Sequence, residues 1–332
     1  MEKASTQYKR EHKSDFGREK IEILYEDDSI VVIAKPTGML SVPYPGSRAR
    51  TAIEVLEQLM RKNGTYSAGH RPFVVHRLDR DTSGVMMFAM TAHMQQKIMN
   101  TWQTMVTGRL YRAVAENPRE GELPGYGVID DPLAYNAYNV GFVPKQGDVP
   151  SETAYRGKKS GGEKSIYERH LGRSDGKAEF KTVEARTHFK VLERGPTHTM
   201  FELSLDTGKK NQIRAHLASK GYPLAGDENY RAKTDPFGRL ALHARTLEFT
   251  HPETGRHMKF EVPEPEEWLE YVRKGDARPA VPIWQKTFDA KRTAAKHDIY
   301  SEAKREVKEH MSGRKLAHMS FMERGKISRN KK

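Results

Sequence analysis

The chain reads as α+β, with a mixed, largely antiparallel central sheet flanked by helices and loops. Short β-rich runs and amphipathic helical stripes are interspersed without the regular βαβ alternation of a parallel sheet. Polar turns join neighbouring runs into hairpins, as Glu26-Asp27-Asp28-Ser29 does between residues 21–25 and 30–34. Elsewhere Phe201, Leu203 and Leu205 alternate with polar residues, the pattern of a half-buried strand.

Taken in order, the first helix is announced by Thr51 and Glu54, a capping box in which each side chain satisfies a backbone N–H at the other's position. Ile53, Leu56 and Met60 line one face of it, and Gly64 supplies the stop. Residues 73–75 and 85–89 are apolar, nearly uncharged runs that read as buried strands. A second helix over 92–106 places Met94, Ile98, Trp102 and Met105 on one side, a core stripe. Residues 117–179 turn rich in Gly, Pro, Lys and Ser and read as a long insertion. Strands resume at 185–192 and 198–205. A helix over 212–220 follows, closed by Gly221 and carrying Arg214 in its first turn. A strand pair at 240–250 and 257–262, then a helix containing Trp268, Leu269 and Val272, complete the core, and a further helix is expected over 285–310.

These elements suggest one domain over 21–275, preceded by a charged leader (1–20) and followed by a basic extension (276–332). The absence of cysteine excludes disulfides, thiol nucleophiles and zinc–thiolate sites. The leader has no apolar signal core and no stretch reaches membrane-span length, so a soluble, cytoplasmic protein is expected. A formal charge of +13 and a pI near 9.6 suggest a polyanionic partner. Residues 286–332 hold 14 basic and 6 acidic side chains, so much of that charge lies in the extension. An RNA-binding arm and a merely solvated tail fit it equally.

Between the two apolar runs of 73–89 lies a charged turn, His76-Arg77-Leu78-Asp79-Arg80-Asp81-Thr82-Ser83-Gly84. It places Asp79 at the edge of a core, where a carboxylate needs a partner. Composition alone also fits a solvated hairpin end. The paired Asp-Thr-Gly loops of an aspartic protease are a poor match, because Asp206 precedes Lys209 and Lys210 and Asp81 adjoins Arg80. A kinase catalytic loop fails because Leu78 intervenes and no Gly-rich phosphate loop precedes it.

The nine-residue string closely resembles the HRLDxxTSG motif of the RluA-like pseudouridine synthases, which isomerise uridine to pseudouridine in ribosomal and transfer RNA. Lys35-Pro36-Thr37-Gly38 resembles that family's first motif, residues 108–114 its tyrosine strand, and residues 203–217 its third motif; residues 223–227 and 242–247 also fit. The resemblance covers roughly residues 21–268 and implies the family's catalytic fold. It implies a catalytic set of Asp79, the acting carboxylate, Tyr111, the aromatic that stacks on the target base or accepts a proton late in the reaction, and Arg214. RNA contacts are expected from Arg77, Arg80, Lys209 and Ile213, while His76 is expected to pack or hydrogen-bond beneath the loop. Arg214 is expected to pair with Asp79 and hold it charged.

The expected partner is ribosomal or transfer RNA, with no cofactor, metal, membrane or obligatory protein partner, and a monomer as the working form. The sequence departs from the family at Lys209 and Asn211, where arginine and histidine are usual. Lysine lacks the planar fork and asparagine does not titrate, which bears on RNA contacts more than on chemistry. A catalytically degenerate RNA-binding or ribosome-assembly protein of the same fold is the alternative. The twenty residues before Ile21 are too few for the S4 module that many members carry.

Overall fold

The computed structural model describes residues 20–43, 49–136, 139–145, 148, 171–174 and 177–276. The expected helix over 285–310 and most of the leader and the extension lie outside them. Strands β1 (Glu22–Glu26) and β2 (Ile30–Lys35) form the first hairpin, its turn fixed by Asp27, whose Oδ1 accepts the N–H groups of Ser29 and Ile30 at 2.8 Å. Helix α1 (Ala52–Asn63) carries the capping box at Thr51 and Glu54 and stops at Gly64, left-handed at φ 74°. Then come β3 (Phe73–Val74), β4 (Ser83–Ala89), α2 (Ala92–Met105), β5 (Val106–Glu116) and β6 (Tyr126–Ile129). Two short hairpins, β7 (Ala134–Tyr135) with β8 (Gly141–Phe142) and β9 (Leu171–Ser174) with β10 (Lys177–Phe180), precede β11 (Thr187–Arg194) and β12 (His198–Leu205). The described chain closes with α3 (Gln212–Ser219), β13 (Leu242–Thr250), β14 (His257–Glu261) and α4 (Glu267–Lys274).

The main sheet runs β1-β2-β4-β13-β5-β12-β11-β6, with β3 paired to β4 and β14 to β13. Every pairing in it is antiparallel except β4 with β13, which run parallel at His243–Ser83 and Ala244–Gly84. This is the mixed, largely antiparallel sheet that the sequence predicts.

Strand β4 is buried along its whole length because both of its faces are covered. Val31, Ile33, Met86 and Phe88 pack with Val55, Leu56 and Met60 of α1, while Ile30, Val32, Val85 and Met87 pack with Met94, Ile98 and Met105 of α2. Further along, Ala113, Phe201 and Leu203 meet Ile213 and Leu217 of α3, and on the opposite face Val114 and Met200 meet Trp268 and Val272 of α4. Each such fully buried large side chain contributes about 1.5–3 kcal/mol.

Residues 117–179 differ from the single insertion that composition suggests, because Tyr126–Ile129 joins the main sheet beside β11. The strand escapes sequence reading because only Ile129 is buried, Tyr126 being 80% and Val128 48% exposed. Gly127 admits the Phe189 ring, which a Cβ there would meet at 2.8 Å.

The parallel contact depends on Gly84. Its φ is +116°, and a Cβ would lie 2.0 Å from the carbonyl oxygen of Ala244. Gly84→Ala is therefore expected to destabilise the fold by more than about 4 kcal/mol. Urea unfolding measures this, and a midpoint close to wild type would refute it.

Candidate active site

A row of directly paired residues crosses the middle of the sheet: Lys35, Gly84, Ala244, Tyr111 and Leu203. Directly paired residues share a face, and Tyr111 stands where the α1 and α3 clusters meet, touching both. Gly84 and Ala244 raise little or no side chain beside it. The charged turn enters the sheet at this row, immediately before β4.

Its partner is the Lys-Pro-Thr-Gly loop after β2. Lys35 is 1% exposed and its Nζ donates to the carbonyls of Pro36 (3.0 Å), Met39 (2.6 Å) and Arg80 (3.0 Å). Burial pushes this amine down to about 7, against the attraction of Asp81 and Asp79. Three carbonyls nonetheless match the three donors of an ammonium, whereas a neutral amine would turn its lone pair on one of them. Thr37 Oγ1 donates to Asp81 O at 2.9 Å and Arg80 Nε to Gly38 O at 3.1 Å. Ser41 Oγ donates to Leu78 O (2.7 Å) and accepts from Leu78 N (3.2 Å). Leu78 itself is sunk in the α1 cluster. Behind the turn, Ser83 Oγ accepts from Arg239 Nη2 at 2.6 Å and so donates to His243 Nδ1 at 2.8 Å, leaving His243 Nε2–H for Val262 O at 2.8 Å.

Held this way, Asp79 presents a carboxylate that is 30% exposed. Asn211 Nδ2 donates to its Oδ2 at 2.8 Å, and Arg214 Nη1 lies 3.7 Å from the same oxygen. The expected Arg214–Asp79 pair is thus a contact beyond hydrogen-bond length, because Arg214 spends its fork on Asp227. Its Nε and Nη2 each donate to Asp227 at 2.7 Å, and Asp227 is 2% exposed. Burial disfavours the guanidinium charge, but Asp227 more than offsets this and holds its pKa above the ordinary value. The Tyr230 ring lies 5.1 Å from the guanidinium, and its hydroxyl donates to Gly141 O.

Tyr111 feels the Asp79 charge, and burial chiefly raises its phenol pKa, opposed by Arg109. Tyr135 and Tyr230 are likewise raised by burial, with Asp79 adding to it. Lys210 is lowered by burial and by Arg77 and Arg214, while Asp79 pulls it back. Asp79 thus sits beside Arg214 and Asn211, with Tyr111, Tyr135, Tyr230 and Lys210 within reach of its charge and Arg77 within reach of Lys210. Such a site offers a carboxylate as nucleophile or base, aromatic surface for a planar ring and cations for phosphate.

Other expected residues fall elsewhere. Ile213 is 4% exposed in the α3 cluster, so its side chain supports the wall from beneath instead of facing RNA. Arg80 bends back onto the Lys-Pro-Thr-Gly loop. Lys209 is exposed, its backbone N–H capped by Gln212 Oε1 at 3.0 Å. His76 lies beneath the turn as expected: its Nε2 accepts Met87 N–H at 3.0 Å and its ring packs 4.8 Å from that of Trp102. Among the described residues no three His, Asp or Glu side chains converge as a metal-binding group.

Residues 29–219 match the family model described as RNA pseudouridylate synthase. The chain belongs to the RNA pseudouridylate synthase family. Members are isomerases that convert uridine in RNA to pseudouridine, and so is this protein. It is 34% identical to the uncharacterized RNA pseudouridine synthase YlyB of Bacillus subtilis over 253 residues, 76% of this chain and 72% of that one. It is 34% identical over 257 residues to the ribosomal large subunit pseudouridine synthase D of Neisseria meningitidis serogroup B, covering 74% of this chain but 58% of that relative. The fold is shared with human RNA pseudouridylate synthase domain containing 4, at a TM-score of 0.54 and 21% identity over 81% of this chain and 95% of that one.

For this synthase, sequence reading overlooked Asp227, Tyr230, Tyr135 and the placement of Asn211 against Asp79. Asp227 had a signal, since it ends the matched segment 223–227. The two tyrosines had none.

His76 is expected to make synthase stability pH-dependent. Burial, with Arg109 adding to it, pushes the imidazole down to about 3 in the fold, from about 6.5 when unfolded. The unfolded chain then binds the extra proton, so stability is full above about pH 6.5 and falls as pH drops toward 3, by up to about 1.4 kcal/mol per unit. Urea midpoints at pH 7.5 and 5.5 test this, and His76→Gln, which keeps an acceptor for Met87, should flatten the difference.

Proposed function

We propose that this synthase isomerises a uridine of ribosomal RNA and that Asp79 is its catalytic group. The observation that carries the reading is the placement of Asp79: part-exposed, hydrogen-bonded by Asn211, 3.7 Å from Arg214 and close enough to Tyr111 for its charge to be felt there. Several relatives 32–34% identical are named ribosomal large subunit pseudouridine synthase D, which supports a ribosomal target. A monomer acting in the cytoplasm, without an obligatory protein partner, is part of the same reading. Among the described residues no helix is long and apolar enough to cross a membrane.

A uridine stacked within folded RNA cannot reach Asp79, so the target is flipped out at a cost of a few kcal/mol. Tyr111 receives the base on its ring, and Arg77, Lys209 and Lys210 meet the neighbouring phosphates. Asp79 then either attacks the nucleoside or removes a ribose proton. The N1–C1′ bond breaks, the uracil turns, and C5 bonds to C1′ while its hydrogen leaves as a proton to solvent and the freed N1 takes one up. Atoms are conserved and no redox partner is consumed. Arg214 keeps its charge near the carboxylate, held there by its paired hydrogen bonds to Asp227. In the basic extension, the excess of cations supports a role as an RNA-holding arm.

Release of tritium from 5-tritiated uridine in RNA reads the reaction directly. Asp79→Asn is expected to lower it by at least about 10⁴-fold, with RNA affinity within about threefold of wild type. Substantial residual turnover would remove Asp79 from the mechanism. Tyr111→Phe keeps the ring and loses the hydroxyl, which bonds to no other described side chain. If that hydroxyl accepts or passes a proton, kcat should fall about 100-fold at unchanged affinity; an unaltered kcat restricts Tyr111 to stacking.

A further inference from the structure

Asn211 stands at the N-terminal boundary of α3 and is built at a cost to the fold. Its backbone is left-handed, at φ 58° and ψ 19°, a region asparagine tolerates but glycine enters freely. Asparagine at a helix start ordinarily accepts an N–H from the first turn, yet this side chain makes no such bond. The residue is 8% exposed, and its Oδ1 is buried without a hydrogen-bond partner among the described residues, a condition native proteins rarely keep.

What the side chain does instead is donate to Asp79. A carboxylate only accepts, so the amide nitrogen must be the atom facing it, which decides the orientation of the carboxamide and leaves Oδ1 orphaned. Among the described residues this 2.8 Å bond is the one side-chain hydrogen bond to the Asp79 carboxylate, Arg214 being 3.7 Å away. The loop that carries Asn211 has little freedom to withdraw. Gln212 Oε1 accepts from Lys209 N (3.0 Å) and Thr207 Oγ1 (2.8 Å), and Gln212 Nε2 donates to Arg186 O (2.9 Å) and Thr187 Oγ1 (3.0 Å). From the other side Gly141 presses so closely that a Cβ there would meet Lys210 O at 2.8 Å.

We propose that Asn211 is a positioning residue, its carboxamide orienting the Asp79 carboxylate toward the target nucleoside. The inference rests on Asp79 being the catalytic group. It explains the three costs together: the left-handed turn, the forgone cap and the orphaned oxygen are what it takes to aim a non-titrating N–H at that carboxylate.

Asn211→Gly removes the amide while suiting the backbone. Expected are an unchanged Tm or a rise of about 2 °C, a KM for RNA within about threefold of wild type, and a kcat about 30-fold lower. Asn211→Asp keeps the shape but offers no donor, and should be slower still. A glycine variant with wild-type kcat beside an inactive Asp79→Asn overturns the proposal and spares the catalytic reading. A fall in Tm that accounts for the lost activity, or a loss confined to KM, also overturns it. If Asp79→Asn stays active, the catalytic reading fails and this inference falls with it.

Discussion

A single buried guanidinium, shared unequally between two carboxylates, is the constraint around which this site is arranged. Asp227 takes the fork of Arg214 at 2.7 Å on both nitrogens, and Asp79 receives a contact at 3.7 Å. Breaking a buried pair such as Arg214–Asp227 by removing one partner costs about 3–5 kcal/mol, so the paired form strongly predominates. The looser contact supplies positive potential to Asp79 without locking it, and leaves Oδ2 to accept the Asn211 amide.

The second constraint is the mutual bracing of two loops. Residues 36–38 and 76–82, between the strands, have no regular structure of their own, and the two loops satisfy each other's backbone through Lys35, Thr37, Arg80 and Ser41. Lys35 is the centre of this arrangement, a buried amine with no carboxylate in contact among the described residues, its donors used up by carbonyls. A loop fixed from both strands and from the neighbouring loop carries its carboxylate as rigidly as a strand would. Gly84 then lets β13 approach, bringing Ala244 and Tyr111 into the same row.

Much of this was legible in the sequence for identifiable reasons. Thr51, Glu54 and Gly64 bound the first helix because capping is local chemistry, and the stripe at Met94, Ile98, Trp102 and Met105 is a local period. The fold class followed from the same short-range patterns. Strand β6 was not legible because Tyr126 and Val128 face outward, and its pairing with β11 is made 60 residues away along the chain. Ile213 was misplaced because a motif preserves residues for packing as well as for contact, and a string of letters does not separate the two.

What the sequence determined by itself is the chemistry on offer: a carboxylate on a short turn, a tyrosine on a strand, an arginine in a first helical turn, and an excess of cations. Those are properties of single residues and of neighbours within a few positions. Which group holds which was decided only in three dimensions. Asp227 captures Arg214 and Asn211 reaches Asp79 across 132 positions, because hydrogen-bond partners are selected by distance and direction in space, and only the packed sheet sets those.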